Sequence, residues 1–170
     1  FDLPEVDIPD YSNADPEVAA ESLRMHWHLG VQPIKNMVHL LESRGVRVFS
    51  LAENSDEVDA YSVWRGRRPF VFLNTVKSGE RRRFDAAHEL AHLVLHRRAA
   101  QNGADAEKEA HAFASAFLMP RSSIKAIGRV VPNFEFIVQQ KKIWSVSASA
   151  MTMRLHSLGM LTYYHYNRLF

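Results

Sequence analysis

The stretch "FDAAHELAHLVLH", Phe84 to His96, constrains this chain more than any other. Wound as an α-helix, it is small or apolar nearly all round, through Phe84, Ala87, Leu90, Ala91, Val94 and Leu95. A helix of that kind is buried. Yet it carries His88, Glu89, His92 and His96, and buried ionisable side chains need partners. The fold must therefore draw this helix into its core while giving its polar groups something to do there.

Residues four apart on a helix share a face, about 6 Å along the axis. Imidazoles at His88 and His92 can thus converge on one ion, with Zn–N bonds of about 2.1 Å. Glu89 sits one residue round, in reach of a water on that ion without ligating it. Two His holding a metal beside a Glu that serves as general base is the chemistry of this spacing. His96 cannot be the third ligand, because it lies about 12 Å from His88 along the axis. A longer three-histidine spacing would need its last His at position 98, where Arg98 stands. The next helical stretch, "DAEKEAHAFASAFLMP", offers more. Its core stripe is Ala106, Ala110, Phe113, Ala114 and Phe117, flanked by Glu107 and Glu109, and Glu107 shares a face with His111. Spacing alone leaves Glu107, Glu109 and His111 all open.

A chain of 170 residues favours one domain. Residues 1–120 are expected to hold N-terminal helices, a small sheet and the peptidase-like core, and residues 121–170 a helical subdomain packed on it. "NADPEVAAESLRMHWHLG" reads as a helix with Asp15 as N-cap, Pro16 at its first position and Gly30 as its end. "QPIKNMVHLLESRG" reads as a second, burying Ile34, Met37, Val38 and Leu41. "VRVFSL", "AYSVWR" and "FVFLN" read as strands, the last two joined by a turn at "GRRP". Helices resume near residues 82 and 105, the latter closed by Pro120. Two more follow, joined near Ser145–Ser147 and stopped by Gly159. Trp27, Trp64 and Trp144 read as core or rim aromatics, and Arg81, Arg82 and Arg83 as solvated residues at a helix start, with Glu80 or Asp85 as acidic partners.

The chain has no Cys. That excludes disulfides and thiolate ligands and fits a cytoplasmic setting. No apolar run reaches membrane-spanning length, and the acidic, Pro-containing start "FDLPEVDIPD" is no signal peptide. Starting at Phe1 rather than Met, the chain is expected to continue a longer protein. The net charge of +2 hides an asymmetry. Residues 1–60 carry 4 basic and 12 acidic side chains, residues 61–100 carry 9 and 3, and residues 101–170 carry 8 and 4. The expected meaning is attraction between faces within the fold; the competing one is an anionic partner. "WSVSASAMTMRLHSLG" has the cadence of a DNA-recognition helix with Arg154 and His156 exposed. One Arg is a thin phosphate footprint, however, so Met151, Met153, Leu155 and Leu158 are expected to pack on the core and direct DNA binding is not.

These motifs resemble the ImmA/IrrE family of metallo-endopeptidases. The similarity runs over roughly residues 16 to 162, through "GVRVFSL", "PFVFLN", "RRRFDAAHELAHLVLH", "EKEAHAFASAFLMP" and "SVSASAMTMRLHSLGML". The resemblance implies a zincin-like α+β fold with a small sheet beside the active-site helix, in the manner of gluzincins. It implies one Zn2+ per chain on His88, His92 and Glu107, the last opening the E-x-x-A motif, with Glu89 as general base. The chain departs from the family pattern at His111, where the family usually carries Asn. The oxyanion-stabilising residue stays open among His111, Tyr163, Tyr164 and His165. The resemblance further implies that "FVFLN" lies at the cleft and pairs with an extended substrate. It implies a helix-turn-helix repressor as protein substrate, cleaved in stress response, and a fused or adjacent XRE-type DNA-binding module. The competing function is a non-catalytic metal-binding sensor domain, which would have no need of Glu89.

Overall fold

The computed structural model describes residues 3–51, 60–98, 103–128 and 133–161. The fold is α+β, with seven helices and a small mixed sheet among the described residues. The first helix, α1, spans Pro16–His26. Asp15 accepts from the backbone N–H groups of Glu17 and Val18, and Pro16 fills the first turn, where no N–H is missed. It ends before Gly30, because the chain turns at His28, which takes a left-handed φ of 55°. Helix α2 spans only Met37–Ser43. Asn36, extended at φ −144°, caps it through the His39 N–H, so Ile34 precedes the helix and reaches the core from a loop. Gly45 then turns at φ 84°, where a Cβ would meet the Glu5 carbonyl at 2.7 Å. Only glycine fits there.

The sheet contains β1 (Arg47–Leu51), β2 (Ala60–Arg65) and β3 (Arg68–Asn74) in the order β1-β3-β2. β1 runs parallel to β3 and β2 antiparallel. The hairpin is tighter than "GRRP" suggests: Arg65 pairs with Arg68 across Gly66 and Arg67, and Pro69 lies inside β3 opposite Trp64. Near the start of a strand one missing N–H is tolerated. Val71, Leu73 and Ser62 are buried. On the other face Tyr61, Phe72, Phe49 and Phe70 stack side by side across the strands.

Helix α3 (Gly79–Leu95) begins on the Ser78 cap and is buried through most of its second half. It packs chiefly on α4 (Ala104–Leu118), and the sheet lies against α3. Phe113 and Phe117 of α4 stack at 5.6 Å, and Trp27 meets Phe117 edge-on at 6.1 Å. Pro120 opens a short helix, α5 (Arg121–Lys125), that the spacing of apolar residues does not announce. Then come α6 (Phe134–Trp144) and α7 (Ala148–Ser157), joined by left-handed Ser145.

Two sequence expectations need correction. Arg154 is buried, not exposed. Its Nε donates to the Met119 carbonyl at 2.9 Å, and its terminal nitrogens meet both oxygens of Glu17 at 2.7 Å. It is therefore not available to a DNA phosphate. Met151 and Leu155 pack on the core as expected, but Met153 is exposed at the rim of a cleft. Nor do the arginines at the start of α3 act alike. Arg83 is part-buried and donates to the Ile34 carbonyl, whereas Glu80 pairs with Lys141 at 2.6 Å. The charge asymmetry is used within the fold: Glu17 meets Arg154, Glu21 meets Arg121 at 2.7 Å and Asp10 lies 3.5 Å from Arg98.

Candidate metal centre

The packing of α3 on α4 sets the geometry. His88 and His92, one turn apart on α3, hold their rings 5.0 Å apart. Across the helix interface Glu107, in the first turns of α4, reaches both. Its Oε2 lies 3.0 Å from His88 Nε2 and its Oε1 3.0 Å from His92 Nε2. One ligand atom from each of the three falls within 4.8 Å of the other two. His92 is buried, His88 nearly so, and Glu107 half-exposed at the mouth. Burial lowers the proton affinity of both histidines, that of His92 to about 4 with neighbouring His88 adding to the effect. Both rings are thus neutral near pH 7, with a nitrogen lone pair to offer.

The other two candidates left open by spacing go elsewhere. Glu109 faces away from the cluster and meets His96 Nε2 at 2.8 Å. His111 forms part of the cleft wall, its ring 4.9 Å from Phe84. His96, dismissed as a ligand on distance, has a role that spacing did not reveal. Its Nδ1 lies 2.9 Å from His92 Nδ1 in the protein interior. The signal was present, since His92 and His96 are also four apart. Tyr163, Tyr164 and His165 lie outside the described residues.

Glu89 is buried beside the cluster. Burial raises its carboxyl to about 7, with Glu107 and Asp85 adding to the rise and the Ser62 hydroxyl of β2 opposing it. A cavity of about 730 Å³ opens over it, lined by Ala60, Phe84, Glu89 and Met153 among others. A second, of about 750 Å³, lies towards Glu17 and Arg121. His88, Glu107, His111 and Met153 line both, so the cleft extends on two sides of the cluster. A larger hollow of about 910 Å³ along β1 contains none of these groups. Strand order corrects one further expectation. β3 is hydrogen-bonded to a strand on each side, so "FVFLN" has no edge for a substrate. The strand that reaches the cleft is β2, through Ala60.

The profile of the IrrE N-terminal-like domain, Peptidase_M78, matches residues 41–156. The chain belongs to this family. The matched span takes in all three strands, the α3–α4 pair and nearly all of α7. A Mycobacterium tuberculosis transcriptional regulator has a similar fold, with a TM-score of 0.57 at 18% identity over 85% of this chain and 47% of that one. The chain thus spans about half the length of that protein. Comparison with curated proteins finds no match. Membership supports a metallopeptidase-like domain. Among the described residues no helix is long and apolar enough to cross a membrane.

Proposed function

We propose that this chain is a zinc-dependent endopeptidase with a zincin-like core. His88, His92 and Glu107 are its metal ligands and Glu89 its general base. The donor set fits the ion: two neutral imidazole nitrogens and one carboxylate converge from two helices, and the side towards the cleft stays open, as in catalytic rather than structural zinc sites. When bound, zinc polarises the scissile carbonyl and acidifies a coordinated water.

The observation that carries the proposal is Glu89. Its carboxyl is buried one residue from His88 and lines the cleft beside the three donors, within the site where a proton must be taken and returned. It accepts the proton of the attacking water and returns it to the departing amide nitrogen. A site that only held metal would not need a buried acid one residue from a ligand in addition to Glu107, which counts against a purely sensory domain. The two-sided cleft suits a chain that continues past the scissile bond in both directions. The outer edge of β2 is the strand edge that an extended substrate can join by main-chain hydrogen bonds. The regulatory name of the structural neighbour and the family likeness favour a helix-turn-helix repressor as substrate, with an XRE-type module fused or adjacent.

Metal content of the purified protein tests this, alongside Glu107→Ala. One zinc per chain in the parent, weakened in the variant, and cleavage of a co-incubated repressor are expected. A parent that holds no zinc at neutral pH without chelator overturns the reading.

A further inference from the structure

His92 is the inner end of a string of contacts that runs from the cluster to the protein surface. From Glu107 the string passes to His92 Nε2 at 3.0 Å, from His92 Nδ1 to His96 Nδ1 at 2.9 Å, and from His96 Nε2 to Glu109 at 2.8 Å. The two imidazoles are buried, while Glu109 is about half exposed. Each contact is short enough for a hydrogen bond. A neutral imidazole has one N–H and one lone pair, and a carboxylate only accepts. On the metal reading the His92 Nε2 lone pair enters the three-donor cluster, so the one N–H of that ring is at Nδ1.

The rest of the string follows from that proton. At 2.8 Å the Glu109 carboxylate requires a proton on His96 Nε2, because a lone pair facing it there is repelled. His96 Nδ1 is then the acceptor of the His92 Nδ1–H. Its neighbour at 2.9 Å inside the protein must donate, since two bare lone pairs in a dry contact leave both groups unsatisfied. His92 therefore carries its proton on Nδ1. The contact between His92 Nε2 and Glu107 then has no proton, and it lies inside the three-donor cluster, where a cation would take its place.

We propose that Glu109, acting through His96, is a positioning residue that selects the tautomer of His92 and aims its Nε2 lone pair into the cluster. This deepens the metal reading and rests on it. A metal-ligating histidine usually gives its second N–H directly to a carboxylate or carbonyl; here a second histidine is interposed, and the carboxylate that orients the ligand lies near the surface. Glu107 and Glu109, two residues apart on α4, thus do different work. One faces the cluster and the other holds a ligand from behind.

The test pairs zinc affinity, by competition with a chromophoric chelator, with ¹⁵N imidazole spectra of the parent with and without zinc. Glu109→Ala is expected to bind zinc about 10–100-fold more weakly than the parent and to lose the single His96 tautomer. Glu109→Gln, whose amide oxygen still accepts from His96 Nε2–H, retains the tautomer and most of the affinity. In the parent, His96 is protonated on Nε2. Equal affinity in Glu109→Ala, or a parent His96 protonated on Nδ1, overturns the proposal. Glu109 is surface-accessible, so unchanged melting of metal-free Glu109→Ala is expected and separates the effect from unfolding. If the parent takes up no zinc, the metal reading falls, and the His96 tautomer in that same sample decides the string by itself: Nε2–H upholds it and Nδ1–H ends it.

Discussion

The polar groups buried around Arg154 and those buried around His92 are built on opposite principles. Around Arg154 every group is answered: the Met119 carbonyl and both Glu17 oxygens take its N–H groups at 2.7–2.9 Å. Arg24 is held by the carbonyls of Phe117, Gly30 and Gln32 through Nε and Nη1, but its Nη2 is buried without a hydrogen-bond partner, and burial lowers its guanidinium to about 10. Around His92 one carboxylate faces two imidazole nitrogens, and three lone pairs can be used at once only by a cation. The first cluster is complete without a ligand and serves the fold. The second is incomplete and lies at the junction of two cavities, where the proposed chemistry would take place. A buried charge is therefore not a functional sign in itself; whether the chain supplies its complement is what separates the two.

The comparison breaks most visibly at Glu89, which adjoins the second cluster and has no counterpart in the first. Glu89→Gln retains shape and zinc but cannot take a proton. Turnover of a repressor substrate should fall about 10²–10⁴-fold, with zinc content unchanged by elemental analysis. Loss of zinc along with activity would mean that Glu89 holds the metal rather than the proton.

Next in size is the response to metal itself. Only the cluster at His92 can gain from a cation. Zinc at about a thousandfold excess over its dissociation constant should stabilise the parent by about 4 kcal/mol, seen as a rise in Tm that a chelator reverses. Glu107→Ala should lose most of that rise, and Glu17→Ala should keep it.

How far these clusters could be read in the sequence differs for the same reason. The helix α3 and its candidate ligand pair follow from local spacing, because His88, Glu89 and His92 lie within about one turn and an apolar surround implies burial. The Asp15 cap and the pairing strands β2 and β3 are local as well. The Arg154–Glu17 pair is not, since its members are 137 residues apart, and nothing near "MTMRLHS" announces a partner. Strand order is likewise set by long-range pairing. β1 inserts no local signal that it will bond to β3 and close off the edge of "FVFLN". The third candidate donor lay between these cases. Local spacing narrowed it to Glu107, Glu109 or His111, and the rotation of α4 against α3 then brought Glu107 to both histidines.

A smaller effect is expected from cutting the closed cluster. Glu17→Ala leaves the Arg154 guanidinium buried with one acceptor, and removing one member of a buried pair costs about 3 kcal/mol or more. Urea unfolding of the metal-free protein should show the midpoint falling with the slope unchanged, and zinc affinity within error of the parent.

The smallest effect sharpens the contrast furthest. If the Arg154–Glu17 pair serves only to fill and satisfy its site, replacing both members together should undo most of the damage done by removing one. An apolar pair of similar volume forfeits the Coulombic attraction but also escapes the cost of taking two charges out of water, and such exchanges are often neutral. Glu17→Leu with Arg154→Met should therefore unfold within about 1.5 kcal/mol of the parent, the residual loss reflecting the Met119 carbonyl that Arg154 no longer satisfies. Zinc uptake should be untouched, because neither residue contributes to the three-donor cluster. The same exchange at the open cluster, His92→Leu with Glu107→Leu, has no such neutral outcome for function. Whatever it does to the unfolding midpoint, it removes two of three donors and zinc uptake ends. A double apolar variant at Arg154 and Glu17 that lost turnover while remaining folded would show that the closed cluster also shapes the cleft, whose second cavity Glu17 and Arg154 both line.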